Sequence, residues 1–180
     1  MVDVEERVVV EGLERLLTDV YEFFMVGDLE GAAQRVSVLF SPPYVEIWRL
    51  RARRSITKVR RKLELRFGRR MSRWSLMKRG VQLIGINIAY SILKRLGFPP
   101  PVWDDVALVV GGAAVKMFDN LARGWRRSVY AMAVMYATQL EEGFGVPYAV
   151  ALKLVALAAA VAFYIAANPS PVEDLVGVLE

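Results

Sequence analysis

The segment WRLRARRSITKVRRKLELRFGRRMSRW, residues 48–74, decides how this chain folds. Val45, Trp48, Ala52, Ile56, Val59, Leu63 and Phe67 recur at spacings of three and four, which lines one side of an α-helix. Pro42 and Pro43 cannot continue a helix but can open one, and Gly68 suits its end. The spacing predicts a helix over 44–67, a short turn, and a second helix over 71–96, where Met77, Val81, Ile84, Ile88, Ile92 and Leu96 keep the same register. On a wheel of 100° per residue the first stripe covers about 100°. Arg49, Arg51, Arg53, Arg54, Lys58, Arg60, Arg61, Lys62 and Arg66 fill most of the remaining circle, and Arg69, Arg70, Arg73, Lys78 and Arg79 continue the charge into the second helix.

Upstream, Val9, Leu13, Leu16, Val20 and Phe23 predict a helix over 3–25, with Asp3, Glu5 and Glu6 at the positive end of its dipole. Gly27-Asp28 breaks it, and a short helix over 29–39 stops before the prolines. Gly80 and Gly85 lie inside the 71–96 helix, where they cost stability unless close packing uses them. Downstream, GFPPPVWDD (97–105) is a hard boundary, with Asp104 or Asp105 as a cap for a helix reaching Leu140, bent at Gly111-Gly112 or at Gly124. EEGFGVP (141–147) reads as the next loop, and 148–167 as an apolar helix. In NPSPVEDL, Ser170 suits an N-cap and Pro171 the first turn. With no alternating pattern longer than four residues, the fold class is all-α: a basic helical hairpin joined to an apolar helical bundle. Three segments follow: an acidic amphipathic helical arm (1–40), a basic hairpin (41–98), and an apolar bundle with a C-terminal tail (99–180).

The 180 residues contain no cysteine and no histidine. That removes disulfides, thiolate chemistry, the commonest general base and the commonest transition-metal ligand. No glycine-rich phosphate loop or convincing carboxylate pair stands out, and VVGGAAVK (109–116) lacks the P-loop spacing. The expectation is a non-enzyme without cofactor or metal. Missing cysteine, few amides and arginine in preference to lysine fit a thermophilic source. The opening MVDVEERVVVEGLERLL is acidic where a secretion signal is basic, so the chain is expected inside the cell.

Hydrophobic residues make up 55% of the chain, above the 45–50% usual for soluble domains. The excess points to an oligomer, a filament or a membrane. VPYAVALKLVALAAAVAFYIAAN is the membrane candidate, but its uninterrupted run from Leu154 to Ala167 is shorter than a typical span and reads first as a buried helix.

The net charge of +5 is unevenly distributed. Residues 1–40 carry nine acids and three bases, 41–80 carry fourteen bases and two acids, and 81–180 carry seven bases and eight acids. A solvated helix normally mixes both signs, since i,i+4 pairs of opposite charge support it. The fourteen-base block therefore calls for an outside counter-charge. Arginine's planar fork favours phosphate, and a helix of about 36 Å matches roughly one turn of duplex. Such a surface positions a phosphate backbone without reading bases. With six to ten phosphates engaged, affinity would fall about a thousandfold or more between roughly 50 and 200 mM salt. Trp48, Trp74 and Trp125 sit beside arginines on or near apolar stripes, which favours duplex backbone over base stacking. Arg123, Arg126 and Arg127 form a smaller cluster that reads equally as secondary DNA contact or as a surface salt-bridge set.

The basic pair YVEIWRLRARRSITKVRRKLELRF and RRMSRWSLMKRG, joined to the helical bundle of 81–167, resembles the α-helical coat proteins of filamentous viruses of hyperthermophilic archaea (rudiviruses, lipothrixviruses, tristromaviruses). The resemblance is architectural. It implies a virion coat subunit that wraps double-stranded DNA, holds it in A-form, and polymerises with itself or a paralogous subunit into a helical nucleocapsid. In those proteins the wrapping hairpin lies near the N-terminus, whereas here about forty residues precede it. A cellular chromatin- or RNA-binding module, and a membrane-associated protein anchored by 148–167, are the alternative readings.

Overall fold

A computed structural model describes residues 4–42, 44–67, 72–95 and 97–177. Among them, helices form and no strand does. In order these are α1 (Val4–Met25), α2 (Leu29–Val36), α3 (Tyr44–Phe67), α4 (Arg73–Arg95), α5 (Pro100–Ala122), α6 (Ser128–Phe144), α7 (Tyr148–Ala167) and α8 (Ser170–Gly177). A 3-10 turn, Ser37–Phe40, links α2 to the strap before α3.

The centre of the fold is α7. It packs against α1, α2, α5 and α6. By length and composition it could cross a membrane, with a mean hydropathy of 2.2. Yet every residue from Leu154 to Ala162 is buried, so protein surrounds two full turns of it. The alanines on all its faces explain how: without bulk beyond Cβ, four neighbours can approach one helix. Helices α1 and α2 share the same core, because Leu13, Leu16, Leu17, Val20 and Phe24 of α1 and Leu29, Ala32 and Val36 of α2 join one buried cluster that extends to Val176. Asp19 on α1 and Arg35 on α2 close that pair of helices with an ion pair of 2.8 Å.

The most extensive helix pairing is α4 on α5, and glycines make it possible. A Cβ on Gly85 would sit 3.3 Å from the Gly111 Cα and 3.2 Å from the Ala114 Cβ. One on Gly111 would meet the Gln82 carbonyl oxygen at 2.8 Å and Ile86 Cγ1 at 2.5 Å. Gly80 likewise faces Val172 of α8. The basic α3 lies outside this bundle, packed on α4, the 3-10 turn and α8. Val45 and Ala52 of its apolar stripe are buried. The other side chains of that stripe lie outside the described residues, as do Val9 and Leu96.

Several details correct the sequence reading. Phe23 is 37% exposed, and Phe24 takes the buried position, stacked on Tyr130 at 4.9 Å. Asp104 and Asp105 do not cap α5. The chain is extended at Pro99, and the two prolines after it occupy the first helical positions, so the acids fall in the second turn. The helix expected to reach Leu140 is two helices: α5 ends at Ala122, and Gly124, at φ +82°, turns the chain into α6. Gly111-Gly112 stays helical because α4 packs there. Residues 141–144, read as loop, continue α6 until Gly145 (φ 70°) closes it, with its own N–H bonded to the Glu141 carbonyl and that of Val146 to the Leu140 carbonyl. In α8 the Pro169 carbonyl accepts the first helical bonds, from Val172 and Glu173, so Ser170 stands inside the helix rather than at its cap.

Adjacent glycines on α5 should respond with opposite signs. Gly111→Ala forces α4 and α5 apart and should lower stability by about 1–3 kcal/mol. Gly112→Ala, whose Cβ meets nothing within 4 Å, should raise it by about 0.5–1 kcal/mol. Urea denaturation of the two variants, read by the far-ultraviolet signal, checks both.

Candidate nucleic-acid interface

Along α3, Arg54, Lys58, Lys62 and Arg66 stand four residues apart on one line, and all four are exposed. Arg53 and Arg61 form a second exposed line through Thr57, whose hydroxyl donates to the Arg53 carbonyl at 2.8 Å. Arg60 is half-buried and donates its Nε–H to Glu64 Oε1 at 2.9 Å. Among the described residues no carboxylate pairs with Arg53, Arg54, Lys58, Arg61 or Lys62. Like charges at i,i+4 each cost a few tenths of a kcal/mol in a helix, about 0.2–0.5. The Arg54–Lys58–Lys62–Arg66 line contains three such contacts in succession. Burial of Val45 and Ala52 on the opposite side opposes that repulsion.

Arg69 and Arg70, and the side chains of Arg49 and Arg51, lie outside the described residues. Arg73 is exposed at the start of α4. Lys78 and Arg79 follow about one turn further along α4. They turn into a cleft of about 400 Å³ between α4 and α5, lined by Ser75, Lys78, Arg79, Gln82, Val115, Lys116 and Asp119. Lys116 was not among the residues singled out from sequence. It stands alone in a segment of balanced charge, and only the α4–α5 crossing brings it opposite Lys78.

The tryptophans are less buried than their stripes suggested. Trp74 is 44% exposed, with one face stacked on Phe118 at 5.4 Å. Trp125 is 55% exposed under the Arg123 guanidinium, 5.4 Å from the ring centre. Trp103 is half-buried, and its indole N–H donates to the Phe98 carbonyl. Trp48 lies outside the described side chains.

The smaller arginine cluster is mostly engaged within the chain. Arg123 pairs with Asp119 at 3.3 Å. Arg126 pairs with Glu30 at 2.6 Å and lies over the Phe163 ring at 5.1 Å. The hydrogen bond from Arg126 holds the Glu30 carboxyl below the ordinary carboxylate range. This ties the α5–α6 turn to the start of α2, as the salt-bridge alternative describes. Arg127 is exposed. Among the described residues no cluster of acids is arranged to hold a metal ion.

No family model, curated protein or solved structure matches the chain. The site's own geometry is a helix on the outside of the bundle, five of whose cations have no carboxylate partner among the described residues.

That reading predicts a trade between stability and binding at one residue. Lys58→Glu places a carboxylate four residues from both Arg54 and Lys62. It should stabilise the fold by about 0.5–1 kcal/mol while weakening any polyanion complex. A thermal melt showing Lys58→Glu less stable than the parent would mean that the α3 charges are not in mutual repulsion.

Proposed function

We propose that the protein is a structural nucleic-acid-coating protein, which grips double-stranded DNA by its phosphates along α3 and assembles side by side into a helical filament. The observation that carries this reading is the set of exposed cations Arg53, Arg54, Lys58, Arg61 and Lys62, which have no carboxylate partner among the described residues and are held on a helix about 36 Å long. Phosphate supplies the missing counter-charge, and each neutralised phosphate releases condensed counterions. The cations are spread over two lines of the helix and are mostly arginine, which suits the backbone of a duplex rather than its bases.

Self-assembly is supported by apolar surface that the single chain leaves in water. Leu108, Val134 and Met135, with Met25 and Val26, are each more than half exposed. A neighbouring copy would cover them, consistent with the 55% hydrophobic content. The most specific form of the proposal is a coat subunit of the kind found in filamentous viruses of hyperthermophilic archaea, acting without catalysis, cofactor or metal.

A second reading, single-strand binding, is favoured by Trp74. Its outer face is open beside Arg73, and a base could stack there.

Both readings are tested by substitution. Neutralising Arg53, Arg54, Lys58 and Arg61 together to glutamine should reduce affinity for long duplex DNA at least a hundredfold in a filter-binding assay and abolish filaments under negative stain, with helix content unchanged. Duplex affinity unchanged in that variant rejects α3 as the interface. Trp74→Ala should leave duplex affinity within twofold; a loss of about tenfold or more confined to single-stranded DNA would favour the second reading.

A further inference from the structure

We propose that the cleft between α4 and α5 is a discrete phosphate seat, with Lys116 as a ligand. This rests on the nucleic-acid reading for its natural occupant, a backbone phosphate, but the seat has its own chemistry. Three cations line it: Lys78 and Arg79 from α4, and Lys116 from α5. Among the described residues Lys78 and Lys116 have no partner. Arg79 donates through Nη1 to Gln82 Oε1 at 2.8 Å, which fixes the guanidinium and leaves the amide nitrogen of Gln82 as a further donor. The Ser75 hydroxyl oxygen accepts from the Ser72 hydroxyl at 2.9 Å, so its own proton is available.

The lining thus offers two ammonium groups, a guanidinium, an amide N–H and a hydroxyl, and its single carboxylate, Asp119, is held by Arg123 at 3.3 Å. A donor-rich lining with a net positive charge and few acceptors matches the oxygens of a phosphate group. It matches a metal ion or a cationic ligand poorly. At about 400 Å³ the cleft exceeds one phosphate group and leaves room for the sugars on either side.

The seat also has a structural consequence. It is made by the most extensive helix pairing in the fold, α4 on α5, in which Gly85 meets Gly111. It therefore lies on the closely packed α4–α5 pair, while α3 packs on the outer side of α4, the 3-10 turn and α8. One phosphate bound there would index the polymer against the bundle itself and set the register that α3 cannot fix with evenly spread charge.

The test uses the full chain, labelled with nitrogen-15, and two probes. Inorganic phosphate titrated in the millimolar range should shift the amide signals of Ser75 and Gln82 in the parent and in the variant neutralised at Arg53, Arg54, Lys58 and Arg61. It should not shift them in Lys78→Gln/Lys116→Gln. With duplex DNA at about 0.1 M salt, that double variant should bind about tenfold more weakly, as expected for one lost phosphate contact. Phosphate binding in the cleft by a parent that ignores DNA supports the seat and overturns the DNA reading. A parent that binds DNA, shows no phosphate shifts and loses no affinity in the double variant overturns the seat and leaves the DNA reading standing. Absence of both kinds of binding overturns both.

Discussion

Cations spaced one helical turn apart repel one another, and on α3 at least five of them have no carboxylate to relieve the repulsion among the described residues. An isolated helix of this composition would be poorly stable, since most helical stability in proteins comes from packing one apolar face. The fold supplies that face through a chain of dependencies. The helix packs on α4, with Val45 and Ala52 of its apolar stripe buried. The partner helix α4 is fixed to α5 by the Gly85–Gly111 crossing, and α5 packs on the buried α7. Each step spends apolar surface to hold a charged rod still. A rod that only needed to be soluble would carry acids among its bases, as the rest of this protein does.

The same arrangement separates two kinds of positive charge. Arg35, Arg123 and Arg126 serve the fold, each with a carboxylate partner that joins neighbouring elements or consolidates a helix end. Of the α3 cations, Arg60 pairs with Glu64, whereas Arg53, Arg54, Lys58, Arg61 and Lys62 have no carboxylate partner among the described residues. Exposed ion pairs contribute little stability, typically 1 kcal/mol or less, so the meaning of the first group is geometric: they pin α2 to α1 and to the α5–α6 turn. Under the proposed function, the second group is met by phosphates of an outside partner.

Much of this was legible in the sequence, and the exceptions have physical causes. The α3 and α7 boundaries could be read because proline and glycine punctuate them and because apolar periodicity inside them is strong. Pairing at Gly145 and the role of Pro99 were missed because caps depend on backbone angles, which residue type only biases. Phe23 and Phe24 were exchanged because either fits a stripe of spacing three or four; Tyr130, more than a hundred residues away, decides between them. At the site, the α3 arginines and lysines were visible because they are dense in one helix. Lys116 was invisible because only the packing of α4 on α5 brings it into one cleft with Lys78 and Arg79. The tryptophans were read as lying on or near apolar stripes, yet Trp74, in the first turn of α4, and Trp125, in the turn between α5 and α6, are each more than two-fifths exposed.

The central claim is that the charge on α3 is matched by phosphates, and the salt dependence of binding measures that match directly. Affinity of the unaltered protein for long duplex DNA, followed from about 50 to 300 mM sodium chloride, should give a log–log slope of about −4.5 or steeper, the value for five neutralised phosphates. A slope shallower than about −1, or no measurable binding at the lowest salt, would contradict the account.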